Sequence, residues 1–116
     1  MSVPSLRHAI HWHTIYGIYT IIGMWEVYEH RRVDRQLGGI PNEVLKRYEK
    51  WKDLVSISGP SGLRQITGFR DEALRGEWSG HRASRLNQQY RVIYRIESGQ
   101  VLVQVVTITA HDYRRR

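Results

Sequence analysis

The chain contains no cysteine. That excludes a disulfide framework, a thiolate metal site and a cysteine nucleophile, and it is compatible with a reducing compartment. Long apolar runs are missing too: the stretch from Ile15 to Trp25 covers about eleven residues, whereas a membrane span needs roughly 20. A secretory signal is disfavoured, because no small-residue cleavage site follows that stretch and Met24-Trp25-Glu26-Val27 leads straight into charged sequence. Together these absences predict a cytoplasmic protein with no membrane partner. Lysine is scarce, confined to Lys46, Lys50 and Lys52, and acidic residues thin out toward the C-terminus.

What is present is arginine, unevenly spread over a net charge of +7. Residues 24–74 carry nine Lys and Arg against eight Asp and Glu, while residues 75–116 carry eight against three, all eight being arginine. Arginine keeps its charge at any accessible pH and grips phosphate with a planar fork, so this half points to a polyanion, nucleic acid first. The richest segment, Leu74 to Ile96, sets Arg75, Arg82, Arg85, Arg91 and Arg95 around what read as two adjacent strands. Cations built into a sheet are held more rigidly than cations on a tail.

At 116 residues and 41% hydrophobic, the chain is long enough for one domain with a single modest core. Residues 1–23 differ from the rest, with one cation, no acid and three histidines. They read as an N-terminal extension, with Met24 as the natural start and 24–116 as the domain proper. His8, His11 and His13 lack a fourth ligand and make a weak metal signature. From Trp25 to Tyr28 the pattern predicts a first strand ending in a charged loop that Gly38-Gly39 breaks. Pro41 and Asn42 then open a helix, in which Val44, Leu45, Tyr48, Trp51, Leu54 and Val55 recur at helical spacing and the Ser58-to-Gly62 cluster stops the run.

Beyond Gly68 the signals become extended: Phe69 to Leu74, Arg82 to Leu86, Tyr90 to Glu97, a turn at Ser98-Gly99, and Val101 to Thr109. Short turns make this a meander. The expected fold class is α+β, an N-terminal strand and helix followed by a curled antiparallel sheet. Alternation sends Tyr90, Val92, Tyr94 and Ile96 to one face and Arg91, Ile93 and Arg95 to the other. It also aims Arg85 away from Arg82 unless a bulge intervenes.

In this order and at this length, four motifs are similar to those of the RelE/ParE superfamily of toxin–antitoxin toxins. They are Asp71-Glu72-Ala73-Leu74-Arg75-Gly76, Gly76-Glu77-Trp78-Ser79-Gly80-His81-Arg82, Arg85-Leu86-Asn87-Gln88-Gln89-Tyr90-Arg91-Val92-Ile93-Tyr94, and Ala110-His111-Asp112-Tyr113. The resemblance runs from about Met24 to Tyr113 and is strongest to the RelE, HigB and YoeB messenger-RNA endonucleases. It implies a RelE-like microbial ribonuclease fold, and a ribosome-dependent enzyme that cuts messenger RNA and thereby inhibits translation. The implied partners are the ribosome, messenger RNA and a cognate antitoxin, with operator DNA contacted only through the toxin–antitoxin complex.

The resemblance also implies roles for single residues. Arg91 matches the arginine held against the scissile phosphate, and Arg82 stands where relatives often carry a basic residue, so Arg82 is favoured over Arg85. Glu72 matches a candidate general base, though it could equally pair with Arg75 or Arg91. His111 and Tyr113 are the acid candidates, with the His-Asp-Tyr order differing from the paired His and Tyr of some relatives. His81 is a further acid candidate. Arg75, His81, Arg85 and Arg95 are expected to hold RNA. No metal or other cofactor is implied, because a 2′-hydroxyl can attack its own phosphate given a base, cations and an acid. Two other readings stay open, a ParE-like inhibitor of DNA gyrase and a non-catalytic nucleic-acid-binding module. The module calls for stacking aromatics on the basic face, whereas alternation sends Tyr90 and Tyr94 to the core.

Overall fold

The computed structural model describes residues 25–97 and 102–110. The N-terminal extension with its three histidines, the Ser98-Gly99 turn, and His111, Asp112 and Tyr113 lie outside the described residues. The elements in chain order are β1 (Glu26–Glu29), α1 (Arg31–Leu37), α2 (Asn42–Ser58), β2 (Glu72–Ala73), β3 (Arg82–Arg85), β4 (Arg91–Ile96) and β5 (Leu102–Thr109).

The strands form one sheet in the order β1-β5-β4-β3-β2. β2 to β5 are the expected antiparallel meander. β1 joins β5 in parallel, so the sheet is mixed, which short hairpin turns alone could not foretell. Val27 lies opposite Val103 in that parallel pair.

α2 forms where its apolar spacing predicts. Val44, Tyr48, Trp51 and Val55 are its buried stripe, and the helix ends at Gly59, whose backbone sits at φ 77°. Any side chain there would meet the Trp25 indole about 2.5 Å away, so this stop requires glycine twice over. The stripe packs with Val92, Tyr94, Val103, Val105 and Ile108 of the sheet to make the main core. Trp51 is wholly buried, stacked on Tyr48 at 5.9 Å and edge-on to Tyr94 at 5.2 Å. Truncation of such a tryptophan to alanine costs roughly 3–5 kcal/mol.

Two elements differ from expectation. The segment after β1 is a helix rather than a charged loop: His30 caps it by accepting from the Arg32 amide at 3.1 Å, and Val33 is buried beneath it. Four charged side chains in seven residues hide the short apolar stripe. Gln36 on this helix grips the edge of β5 beyond the end of β1, donating to Thr107 Oγ1 at 2.7 Å and accepting from the Ile108 amide at 2.8 Å. The extended run expected from Phe69 to Leu74 is broken by a 3-10 turn at Thr67–Phe69 and by Arg70, whose φ is positive (44°), leaving only Glu72–Ala73 as β2.

Candidate functional site

The helices cover one face of the sheet, and cross-strand register fixes what the other face carries. Arg85 in β3 lies directly opposite Arg91 in β4, and Arg91 opposite Thr109 in β5. One row along, Glu72 is opposite Ala83 and Ala83 opposite Ile93. Two residues along a strand span about 7 Å and put side chains back on one face. Glu72, Arg85 and Arg91 therefore share the open face in adjacent rows, with Thr109 paired to Arg91.

Arg91 is held by its own turn. Asn87 Oδ1 accepts from the Gln89 and Tyr90 amides at 2.8 and 2.7 Å, a side-chain-organised turn that its short polar amide favours. The turn gathers backbone carbonyls around the guanidinium: Arg91 Nη1 donates to the oxygens of Asn87, Gln88 and Tyr90 at 3.2 to 3.3 Å. Among the described residues no carboxylate pairs with Arg91. One nitrogen fixes the fork while its other donors stay available for an anion.

Arg82 is placed otherwise than expected. It lies on the helix face, opposite Tyr94, and its Nε and Nη2 reach Asp71 Oδ2 at 2.8 and 2.7 Å. The Asp71 side chain has no solvent exposure. Its second oxygen accepts from Ser84 Oγ at 2.7 Å and from the Tyr94 hydroxyl at 2.6 Å, and Ser84 in turn accepts from the Trp51 indole N–H at 2.9 Å. Burial and the bond to Asp71 raise the Tyr94 pKa, keeping the phenol protonated as a donor. Burial works against the charge of Arg82, but the hydrogen bond and charge of Asp71 outweigh it and raise the pKa. Arg82 thus serves a buried carboxylate, and Arg85 takes the place beside Arg91 that alternation allowed for it.

Asp71 is the residue that sequence reasoning passed over. Its signal was alternation applied to Asp71-Glu72, which sends one carboxylate to each face. The remaining expected RNA contacts divide. Arg75 is exposed just after β2, and Arg95 is exposed but pairs with Glu97 at 2.8 Å and with Gln104 at 3.0 Å. His81 packs edge-on to Trp78 at 5.3 Å, with Nδ1 buried and without a hydrogen bond. Trp78 and Leu74 cover a small second core of Ala83 and Ile93 on the open face. Among the described residues no three histidine or carboxylate side chains gather as a metal site, and no helix is long and apolar enough to cross a membrane.

This architecture recurs in solved structures. RelE in the archaeal RelE–RelB complex from Pyrococcus horikoshii superposes with a TM-score of 0.60 at 21% identity, covering 80% of this chain and 98% of that one. YoeB in the YoeB–YefM complex from Staphylococcus aureus superposes at 0.58 with 11% identity, over 76% of this chain and 98% of that one. The chain has the RelE-like toxin fold. YafQ from Escherichia coli gives 0.55 at 14% identity, with 75% and 93% covered. No protein-family model matches the sequence, and no curated protein matches it.

Proposed function

We propose that the chain is the toxin of a type II toxin–antitoxin pair and cleaves messenger RNA in the ribosome. The observation that carries this reading is the Arg85–Arg91 pair on the open face of a RelE-like fold. Two arginines directly opposite each other concentrate positive charge at one place on the sheet, and Arg91 is oriented by its turn with no carboxylate partner among the described residues, which suits a bound anion. A scissile phosphate at the Arg91 fork would receive charge stabilisation where the transition state needs it.

Glu72 on the same face is the candidate base that takes the 2′-hydroxyl proton. The 2′-oxygen then bonds to phosphorus, the bond to the 5′-oxygen breaks, and an acid from the His111–Tyr113 tail protonates the leaving oxygen. The products are a 2′,3′-cyclic phosphate and a free 5′-hydroxyl. His81 is less suited to that proton transfer, because its Nδ1 is buried against Trp78. RelE and YoeB were solved bound to RelB and YefM, which supports a cognate antitoxin as partner here. Operator DNA would be met only through that complex.

The test is cell-free translation of the chain followed by mapping of messenger-RNA ends. New ends should appear with wild type and fall by about 10²–10³-fold with Arg91→Ala, the loss typical of a charge-stabilising donor. If no new ends appear and gyrase supercoiling fails instead, a ParE-like inhibitor replaces this reading.

A further inference from the structure

We infer that Trp78, braced by His81, is a stacking platform for one nucleobase of the RNA whose phosphate the Arg85–Arg91 pair receives. This rests on the reading of the arginine pair as a phosphate site. Trp78 sits on the arginine face, because it packs against Ala83 and Ile93, which lie one row from Arg85 and Arg91 on the same strands. That offset is about 7 Å, on the order of the reach from a backbone phosphate to its own base.

The loop that carries Trp78 is built to hold it still. Gly76 and Gly80 bend the chain at φ 66° and 91°. Between them, successive backbone bonds close the turn: Trp78 N–H to Arg75 O at 3.2 Å, Ser79 N–H to Gly76 O at 3.0 Å, and His81 N–H to Trp78 O at 2.9 Å. A β-carbon on Gly80 would meet open space, so the glycine serves conformation rather than fit. The indole is half-buried, and the His81 ring stands against it at an interplanar angle of 84°. Leu74 shares the cover of Ala83 and Ile93, and the indole that lies with it on them keeps part of its surface open to solvent. An indole fixed in place on the face that carries the Arg91 fork suits single-stranded RNA, in which splayed bases stack on aromatic rings while cations hold the backbone.

The probe is a fluorescein-labelled single-stranded oligonucleotide of 2′-O-methyl RNA, which cannot be cut, titrated against the full chain at several salt concentrations. Trp78→Leu should weaken binding on the order of tenfold without changing the salt dependence, because a stacked base releases no counterions. Trp78→Phe should lose only about a quarter to half of that effect on a logarithmic scale. Arg91→Ala should instead lower the salt slope by about one. An oligonucleotide abasic at the stacked position should bind wild type more weakly by the same factor as Trp78→Leu, and Trp78→Leu should not discriminate it. The abasic series uses the wild-type chain, so it decides the matter even if Trp78→Leu fails to fold. Abasic oligonucleotides that all bind wild type within twofold of the intact one, while Arg91→Ala still loses its slope, overturn the platform alone. An unchanged slope in Arg91→Ala overturns the phosphate site and the platform with it.

Discussion

Arg82 and Arg91 stand on neighbouring strands of one sheet, and their surroundings are opposite. Arg82 faces the helices and binds Asp71, a carboxylate closed off from water that also accepts from Ser84 and Tyr94. Arg91 faces away from them and is held only by the carbonyl oxygens of its turn among the described residues. The first arginine has spent its charge inside the protein. The second has been oriented without being neutralised, which is the condition under which an arginine can serve a ligand.

The sharpest way to break this contrast is at Asp71. Asp71→Ala strips a buried partner from Arg82, Ser84 and Tyr94, and should cost about 3–5 kcal/mol of unfolding free energy in a urea titration. A cost under about 1 kcal/mol would mean that Arg82 is solvated and the two arginines are alike. Arg91→Ala should do the reverse, removing about 3 kcal/mol of transition-state stabilisation in RNA cleavage while urea unfolding moves by less than about 0.5 kcal/mol. Should Arg91→Ala unfold the chain, its role is structural.

Tyr94→Phe tests the helix face through pH. Loss of one hydrogen bond should cost about 1–1.5 kcal/mol at neutral pH. Because the folded pKa is raised above the ordinary value near 10, this contribution is fully present below that value and is lost as pH rises past it. Stability of wild type should therefore fall above about pH 10, and the phenylalanine variant should lose part of that slope in alkaline unfolding curves. The smallest effect belongs to Arg95→Ala. Its pair with Glu97 is half exposed, so thermal unfolding should register less than about 0.5 kcal/mol.

How far sequence reaches differs by element. α2 was legible because Val44, Tyr48, Trp51 and Val55 keep a helical period that only a buried stripe explains. β3, β4 and β5 were legible from alternation, and with them the face shared by Arg91 and Ile93. α1 was not, because its Val33 and Leu37 are swamped by charge and its anchor is Gln36 reaching a strand about 70 residues on. The parallel β1–β5 pair is likewise non-local, and no neighbouring residue announces it. In the site, the choice of Arg82 over Arg85 failed to follow alternation where alternation was right: Ser84 meets Trp51 on the helix side, so Arg82 goes with it and Arg85 does not. Trp78 escaped notice because it lies in a turn, where strand alternation has no say.

The position of β5 has a consequence in time. Of the described strands it is the last to be synthesised, yet it lies second in the sheet, between β1 and β4, and supplies Val103, Val105 and Ile108 to the core. Until β5 is made, β1 is held by α2, through Tyr48 and Lys52 on Glu29, and has no strand neighbour among the described residues. Contacts so distant along the sequence close late in folding. Limited proteolysis of a chain stopped at Glu97 should find no protected core. The row that sets Arg91 against Thr109 is therefore completed only when β5 docks, although the turn that orients the guanidinium is local to Asn87–Tyr90.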